Sequence, residues 1–412
     1  MVFKINITMK TSPLTVSPQG RAAALERERY RKMARSAHAY VRGNTKQFYE
    51  WLDACQPSTL PEGPPVWICG DCHLGNLGPL ANMQGNVEIQ IRDLDQTVIG
   101  NPAHDIIRLA LSLAMAARSS DLPGVATALM MERLVEGYAA SLTKHHDGAT
   151  RRKIGTVPAA IAPVLAMAGR RSWRHLARER LEDPSPRIPM GRRFWRLSGE
   201  EEEAISQLFE KRSVSRLASL LTSRADDASI HVKDAAYWMK GCSSLGRLRY
   251  AVVLSAGGPA SQNQFCLMDL KEAVAAAAPS YSKVGMPRDH AARVVEGARN
   301  LSPHLGDRML SAQLLGQPIV LRELMPQDLK LEFSELSAHD ACEVAEYLGS
   351  VVGQAHARQM NTQTAVSWQA ELRKHRSKSL DAPSWLWNSV VDLVASHEAG
   401  YLQHCRRYAE KL

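Results

Sequence analysis

"VWICGDCHLGNLG", Val66–Gly78, writes three chemistries over one short stretch. Cys69, Cys72 and His73 spell C-x-x-C-H, the pattern of covalent haem attachment. Asp71, Cys72 and His73 stand in a row, as ligands of a metal would. Asp71 is followed five residues on by Asn76, a spacing that phosphate-transferring enzymes use. The choice among them decides the fold.

Two of the three lose ground on the rest of the chain. The start, "MVFKINITMKTSPLTVSPQG", alternates polar and apolar residues and lacks the continuous apolar core of an export signal. The seven cysteines are an odd number, as expected of reduced thiols in a cytosol rather than of a disulfide framework. A cytoplasmic chain is a poor setting for covalent haem. A structural zinc needs four ligands, and no second C-x-x-C or H-x-H cluster accompanies Cys69 and Cys72. The longest apolar run, Leu109 to Ala117, sits between Arg108 and Arg118 and is too short to cross a bilayer, so no membrane partner is expected.

Composition excludes little else. The 412 residues are 45% hydrophobic and 23% charged, the mix of an ordinary globular protein. The net charge of +9 favours anionic partners such as a nucleotide, a phosphorylated substrate, nucleic acid or a membrane surface. It does not choose among them.

Periodicity sets the frame. Residues 20–53 read as one long helix, followed by the proline-rich loop "CQPSTLPEGPP". "VWIC" is a short buried strand. In "NVEIQIRDLD", Val87, Ile89 and Ile91 alternate with Glu88, Gln90 and Arg92, and "NMQGN" before it suits a hairpin turn. Asn101 and Pro102 open a helix that is apolar nearly all round. Residues 123–182 read as broken helix, and Glu182 to Arg193 as a loop rich in proline and arginine. From about residue 230 the texture changes to strand, turn, strand, Gly-Gly turn, strand. A helix "RDHAARVVEGARNLS", a strand "QPIVLRELMPQ", a helix "AHDACEVAEYLGSVVGQAHARQ" and a last helix over 384–411 follow.

The hairpin bears on the opening question. Asp93 falls in phase with Ile89 and Ile91, where a carboxylate is costly unless its charge is compensated. Folding the hairpin carries the end of its second strand back beside the loop before its first. Asp71, Asn76 and Asp93 can then converge, and two carboxylates with an amide oxygen are hard ligands that suit Mg²⁺.

Here "GDCHLGN" and "IRDLDQTVIGNPAHDIIRL" resemble the aminoglycoside-phosphotransferase branch of the protein-kinase-like fold. The resemblance implies that Asp71 is the catalytic Asp, that Asn76 and Asp93 are metal ligands, and that Asp105 is the buried Asp of the following helix. Cys69 departs from the branch, which carries His there. The remaining parts lie downstream. "KGCSSLGR", with Gly241, Ser243, Ser244, Gly246 and Arg247, resembles a nucleotide loop sparse in glycine. Lys271 in "CLMDLKEA" sits as the phosphate-contacting strand lysine would, and Glu296 in "RVVEGARNL" as its helix partner. "VLRELMP" resembles the hinge strand, where main-chain groups near Glu323 and Met325 would meet adenine.

The order of these parts implies a circular permutation: an α+β, two-lobed, kinase-like fold with the mainly helical lobe encoded first. The expected divisions are 1–229 for the helical lobe with its catalytic loop and hairpin, 230–335 for the small sheet-containing lobe, and 336–412 for helices returning to the first. The whole is similar to a bacterial family catalogued as domain of unknown function twenty-two fifty-two, over roughly residues 30–125 and 230–360.

The function implied is an ATP- and Mg²⁺-dependent phosphotransferase acting on the hydroxyl of a small molecule or a protein. Asp71 is the expected base, with His73 as an alternative because its ordinary pKa suits neutral pH. Transfer of a nucleotidyl (AMP) group on the same fold and a non-catalytic ATP-binding module remain as alternatives. The arginine-rich region 170–193, with Trp173, Phe194 and Trp195 interleaved, reads as a solvated face over core aromatics, so nucleic acid is not an expected partner. His356 reads as a helix-packing histidine.

Overall fold

The long helix expected over 20–53 is broken twice, and capping explains both breaks. The structure, a computed structural model, describes residues 16–56, 59–143, 156–181, 186–219, 229–240, 247–257, 264–281, 285–331, 336–374 and 383–409. Its first helices are α1 (Arg21–Met33), α2 (Ala37–Gly43) and α3 (Thr45–Ala54). Ser36 and Asn44 start the second and third: their side-chain oxygens accept from the N–H groups of Ala39 and Gln47.

Two small antiparallel ladders follow. β1 (Val66–Ile68) pairs with β4 (Val98–Gly100), and β2 (Leu77–Ala81) with β3 (Val87–Ile91). Leu77 lies opposite Ile91, and the Arg92 N–H donates to the Asn76 carbonyl at 2.7 Å. The hairpin therefore does bring the loop before β2 beside the loop after β3. α4 (Ala103–Ser119) comes next, with Asn101 Oδ1 accepting from the Ala103 N–H at 3.0 Å, and is buried along most of its length. α5 (Gly124–Thr143) packs beside it.

Downstream lie α6 (Ala162–Gly169), α7 (Trp173–Leu181), β5 (Phe194–Trp195), α8 (Gly199–Glu210) and α9 (Arg212–Ser219). Then come β6 (Ile230–Trp238), β7 (Arg249–Ala256), β8 (Gln264–Glu272), α10 (His290–Leu301), α11 (Pro303–Gly306), β9 (Met309–Leu314) and β10 (Gln317–Leu324). The strands form one antiparallel sheet in the order β5-β6-β7-β8-β10-β9. One face, with Tyr250, Val252, Met268, Leu270 and Leu321, is covered by α8 and α9. Phe194 and Trp195 pair with Trp238 and Tyr237. The sheet with its covering helices thus begins upstream of the boundary expected at 230. β5, α8, α9 and β9 are elements that periodicity did not separate from their surroundings.

α12 (Ala338–Ala357), α13 (Thr362–Lys374) and α14 (Ser384–Ala409) pack into the core that holds β1–β4, α4 and α5. Two glycines let α5 and α12 approach closely. A Cβ at Gly349 would lie 2.1 Å from the Leu134 carbonyl oxygen, and one at Gly137 2.0 Å from that of Glu346. The protein is a mixed helix-and-sheet chain, and no helix among the described residues is long and apolar enough to cross a membrane.

Candidate active site

The stretch that opened the question is a loop held by its backbone. Gly70 has φ +73°, and a Cβ there would lie 2.2 Å from the Gln96 carbonyl oxygen, so only glycine fits. Asp105, in the first turn of α4, accepts from the N–H groups of Cys69 at 2.7 Å and Gly70 at 3.0 Å. His356 of α12 places Nε2 3.1 Å from the same carboxylate and Nδ1 3.0 Å from the Tyr138 hydroxyl. Trp368 Nε1 donates to that hydroxyl at 3.0 Å. With the indole as donor, the phenol proton goes to Nδ1 and Nε2–H to Asp105, so each member of this relay has a partner. His356 does pack between helices, as expected, and it also braces the loop.

Asp71 projects from this loop. Its carboxylate accepts from Arg108 Nε at 2.9 Å and Thr45 Oγ1 at 3.0 Å, and its carbonyl accepts from Asn76 Nδ2 at 2.9 Å. His73 is buried, with Nε2 3.9 Å from Asp71. Burial drives its pKa down to about 3, with Arg42 and Arg108 adding to the effect and Asp71 opposing it. The neutral-pH advantage that recommended His73 as a base is gone.

Lys271 of β8 reaches across to the loop after β3. Its ammonium lies 3.4 Å from Asp93 Oδ1 and forms a second ion pair with Asp95. Burial opposes ionisation of Asp93, but Lys271, Arg322 and Arg249 outweigh it and hold this carboxyl well below the usual range. Burial and the neighbouring charge of Asp93 push Asp95 the other way, against the pull of Lys271. Two carboxylates gathered on one ammonium are hard oxygen donors that fit a divalent cation such as Mg²⁺. Asn76 stands beside Arg92 with its amide nitrogen engaged by the Asp71 carbonyl. Arg293 of α10 fixes the same loop: it donates to the carbonyls of Thr97, of Asp95 at 3.0 Å and of Val274 at 2.9 Å.

A second charged group lies next to Lys271 on the same side of the sheet. Asp269 is bound by Arg249 in two hydrogen bonds of 2.9 and 2.6 Å, with Arg322 at 3.4 Å and Lys240 at 4.0 Å. Arg322 also donates to the Arg92 carbonyl at 2.9 Å. Burial disfavours the Asp269 charge, yet these cations hold its carboxyl far below the ordinary range. The space left among Arg92, Asp93, Asp95, Asp269, Lys271 and Arg322 is about 20 Å³, room for one water-sized group.

Other expected residues are placed differently. Glu296 does not pair with Lys271. Its carboxylate lies with Arg299 at 3.7 Å and Asn300 at 3.5 Å, because the helix register turns it outward and Asp95 takes the lysine instead. The main-chain groups expected to meet adenine are also engaged: the Glu323 carbonyl accepts from Arg308 at 3.0 Å, and the Met325 N–H donates to Asp328 at 3.3 Å. Gly241, Ser243, Ser244 and Gly246 lie outside the described residues, while the Arg247 carbonyl accepts from the Tyr237 hydroxyl at 2.7 Å. Cys69 and Cys72 are buried free thiols, and burial pushes the Cys69 thiol up. Among the described residues no three His, Cys, Asp or Glu side chains gather to hold a metal. Mg²⁺ needs fewer protein ligands than a structural zinc. Thr45, Arg108, Asp95, Arg293, Asp269, Arg249 and Arg322 were missed from sequence. Only two of them carried a signal: Asp95 lies two residues past Asp93, and Asp269 two residues before Lys271 on one strand face.

A family model described as an uncharacterized protein conserved in bacteria (DUF2252) matches residues 21–407. No curated protein and no solved structure matches the chain.

Proposed function

The chain belongs to this family of uncharacterized bacterial proteins, and we propose that it is an ATP- and Mg²⁺-dependent transferase of circularly permuted, kinase-like fold that moves a phosphorus-bearing group of ATP onto an acceptor hydroxyl. The observation that carries the reading is the meeting of Lys271 with Asp93, 178 positions apart, where the Asp93 carbonyl also accepts from the Cys69 thiol of the loop bearing Asp71 at 3.5 Å. The order of elements supports it as well. A lysine strand (β8), a helix (α10) and a hinge strand (β10) follow one another as the resemblance requires. The departures at Glu296, at the hinge and at Cys69 leave the Lys271–Asp93 meeting, on which the reading rests, untouched.

In this reading each side chain has a separate task. Arg108 and Thr45 fix the Asp71 carboxylate, which orients an acceptor hydroxyl and takes its proton. Lys271 leaves Asp93 and Asp95 for the phosphates. Asp93, Asp95 and Asn76 hold Mg²⁺, which when bound neutralises phosphate charge.

Mg-ATP should raise the melting temperature of the full chain. Ligand at about 100 times Kd stabilises a native state by about 2.7 kcal/mol. Lys271→Ala should remove most of that shift. If millimolar Mg-ATP stabilises neither chain, the transferase reading fails.

A further inference from the structure

Arg42 stands against the loop that bears Asp71, and no carboxylate answers its charge among the described residues. It lies in the last turn of α2 and is half-buried. This end of α2 is tied to the site. Arg108, the partner of Asp71, donates through Nη2 to the Val41 carbonyl at 2.8 Å. Thr45, at the start of α3, donates to the Asp71 carboxylate at 3.0 Å, and Asn76 folds the loop back onto the Asp71 carbonyl at 2.9 Å. The guanidinium itself rests on Gly75, where a Cβ would lie 2.9 Å from Arg42 Cζ and Nη2. Gly75 does not have a positive φ, so its backbone suits any residue. The close approach of Arg42 is what calls for glycine there.

The neighbouring cations are already paired: Arg108 with Asp71, and Lys271 with Asp93 and Asp95. Arg42 makes neither a hydrogen bond nor an ion pair among the described residues, and its Nε is buried without a partner. His73, which feels the Arg42 charge, keeps a buried Nδ1 that is also unpartnered among them. A polar group taken from water and left unpaired is costly, so it calls for a partner. From Val66 to Ala81 only Gly75 and Asn76 are not fully buried, so this edge of the loop is where a ligand can reach it. A guanidinium offers parallel N–H donors that match two oxygens of a phosphate or carboxylate. Asp71, Asp93 and Asp95 would repel a negatively charged acceptor. Arg42 offsets that repulsion beside the group that takes the acceptor proton.

We infer that Arg42 binds an oxyanion of the acceptor, so that the molecule receiving the transferred group carries a phosphate or carboxylate as well as its hydroxyl. That the bound molecule is the acceptor rests on the transferase reading; the anion site stands on Arg42 and Gly75.

Calorimetry on the full chain with Mg²⁺, with and without the non-hydrolysable ATP analogue AMP-PNP, tests this. The probes are inorganic phosphate and acetate, each against a chloride control of equal ionic strength. At least one should bind, and which one does separates a phosphorylated from a carboxylate acceptor. Arg42→Gln should weaken that binding by about tenfold or more, the loss of one charge-assisted pair. Arg42→Lys, which keeps the charge but not the fork, should fall between the two. Gly75→Ala, which keeps every charge and displaces only the guanidinium, should weaken it as well. Arg42 has no protein partner to strand, so the variants should fold, and melting curves check that they do. Binding of neither ion, or equal binding by Arg42→Gln or by Gly75→Ala, overturns the site. A parallel loss of Mg-ATP affinity in Arg42→Gln would make Arg42 a nucleotide ligand and overturns the acceptor assignment. Arg42-dependent phosphate binding by a chain that binds no Mg-ATP keeps the anion site and brings down the transferase reading.

Discussion

At the scale of the residue, Asp71 is the test of the opening stretch. Its carboxylate is fixed by Arg108 and Thr45, while His73, buried beside it with its pKa pushed down to about 3, has lost the near-neutral pKa that recommended it. Asp71→Asn keeps the shape and the Thr45 contact but removes the proton acceptor. Turnover should fall by about 10²–10⁴, the usual cost of losing a general base, while Mg-ATP binding by calorimetry survives. Loss of binding in step with turnover would instead make Asp71 a ligand-holding or structural residue. Arg108, which is fully buried, loses its charge partner in this variant, so the melting temperature has to be measured alongside.

At the scale of the element, the loop is rigid because a neighbouring helix supplies what its backbone lacks. α4 begins where Asp105 can accept two buried main-chain N–H groups, and α12 closes the network through His356. Asp105→Ala leaves both N–H groups buried and unpaired at about 1–3 kcal/mol each. Urea unfolding should therefore show a loss of roughly 2–6 kcal/mol. A loss under 1 kcal/mol would mean that the loop is held by other contacts. None of this was legible beyond the burial of Asp105 itself. The sequence shows Asp105 one turn into an apolar helix, but which amides it meets depends on a loop 35 residues away.

At the scale of the whole molecule, buried histidines such as His73 and His397 make stability fall in mild acid. Burial pushes His73 down to about 3 and His397 down to about 4, against an ordinary value of 6.5. A histidine whose folded pKa lies below its unfolded one stays neutral in the native state and gains a proton only on unfolding. Stability is then unaffected above about pH 6.5 and falls as the pH drops from there toward the folded values. Each of the two should cost about 2 kcal/mol by pH 5, read as the change in unfolding free energy between pH 7 and pH 5 in urea. A flat profile over that range would show that these rings titrate freely. The sequence by itself determined the local parts: the β2–β3 hairpin, the helix that opens at Asn101, the three long strands after residue 230, and the candidates Asp71, Asp93 and Lys271. The elements follow from periodicity and capping, which act over a few residues; Asp71 and Asp93 drew notice by spacing and phase, and Lys271 only through what the resemblance implies. Only the tertiary structure decided that Lys271 lands on Asp93 and Asp95 and not on Glu296, that α7 covers the sheet beside the hinge, and that Lys240, Arg249 and Arg322 crowd one carboxylate. Those outcomes turn on helix rotation and strand register between segments far apart in the chain, where burying a charge beside the right partner outweighs any local preference.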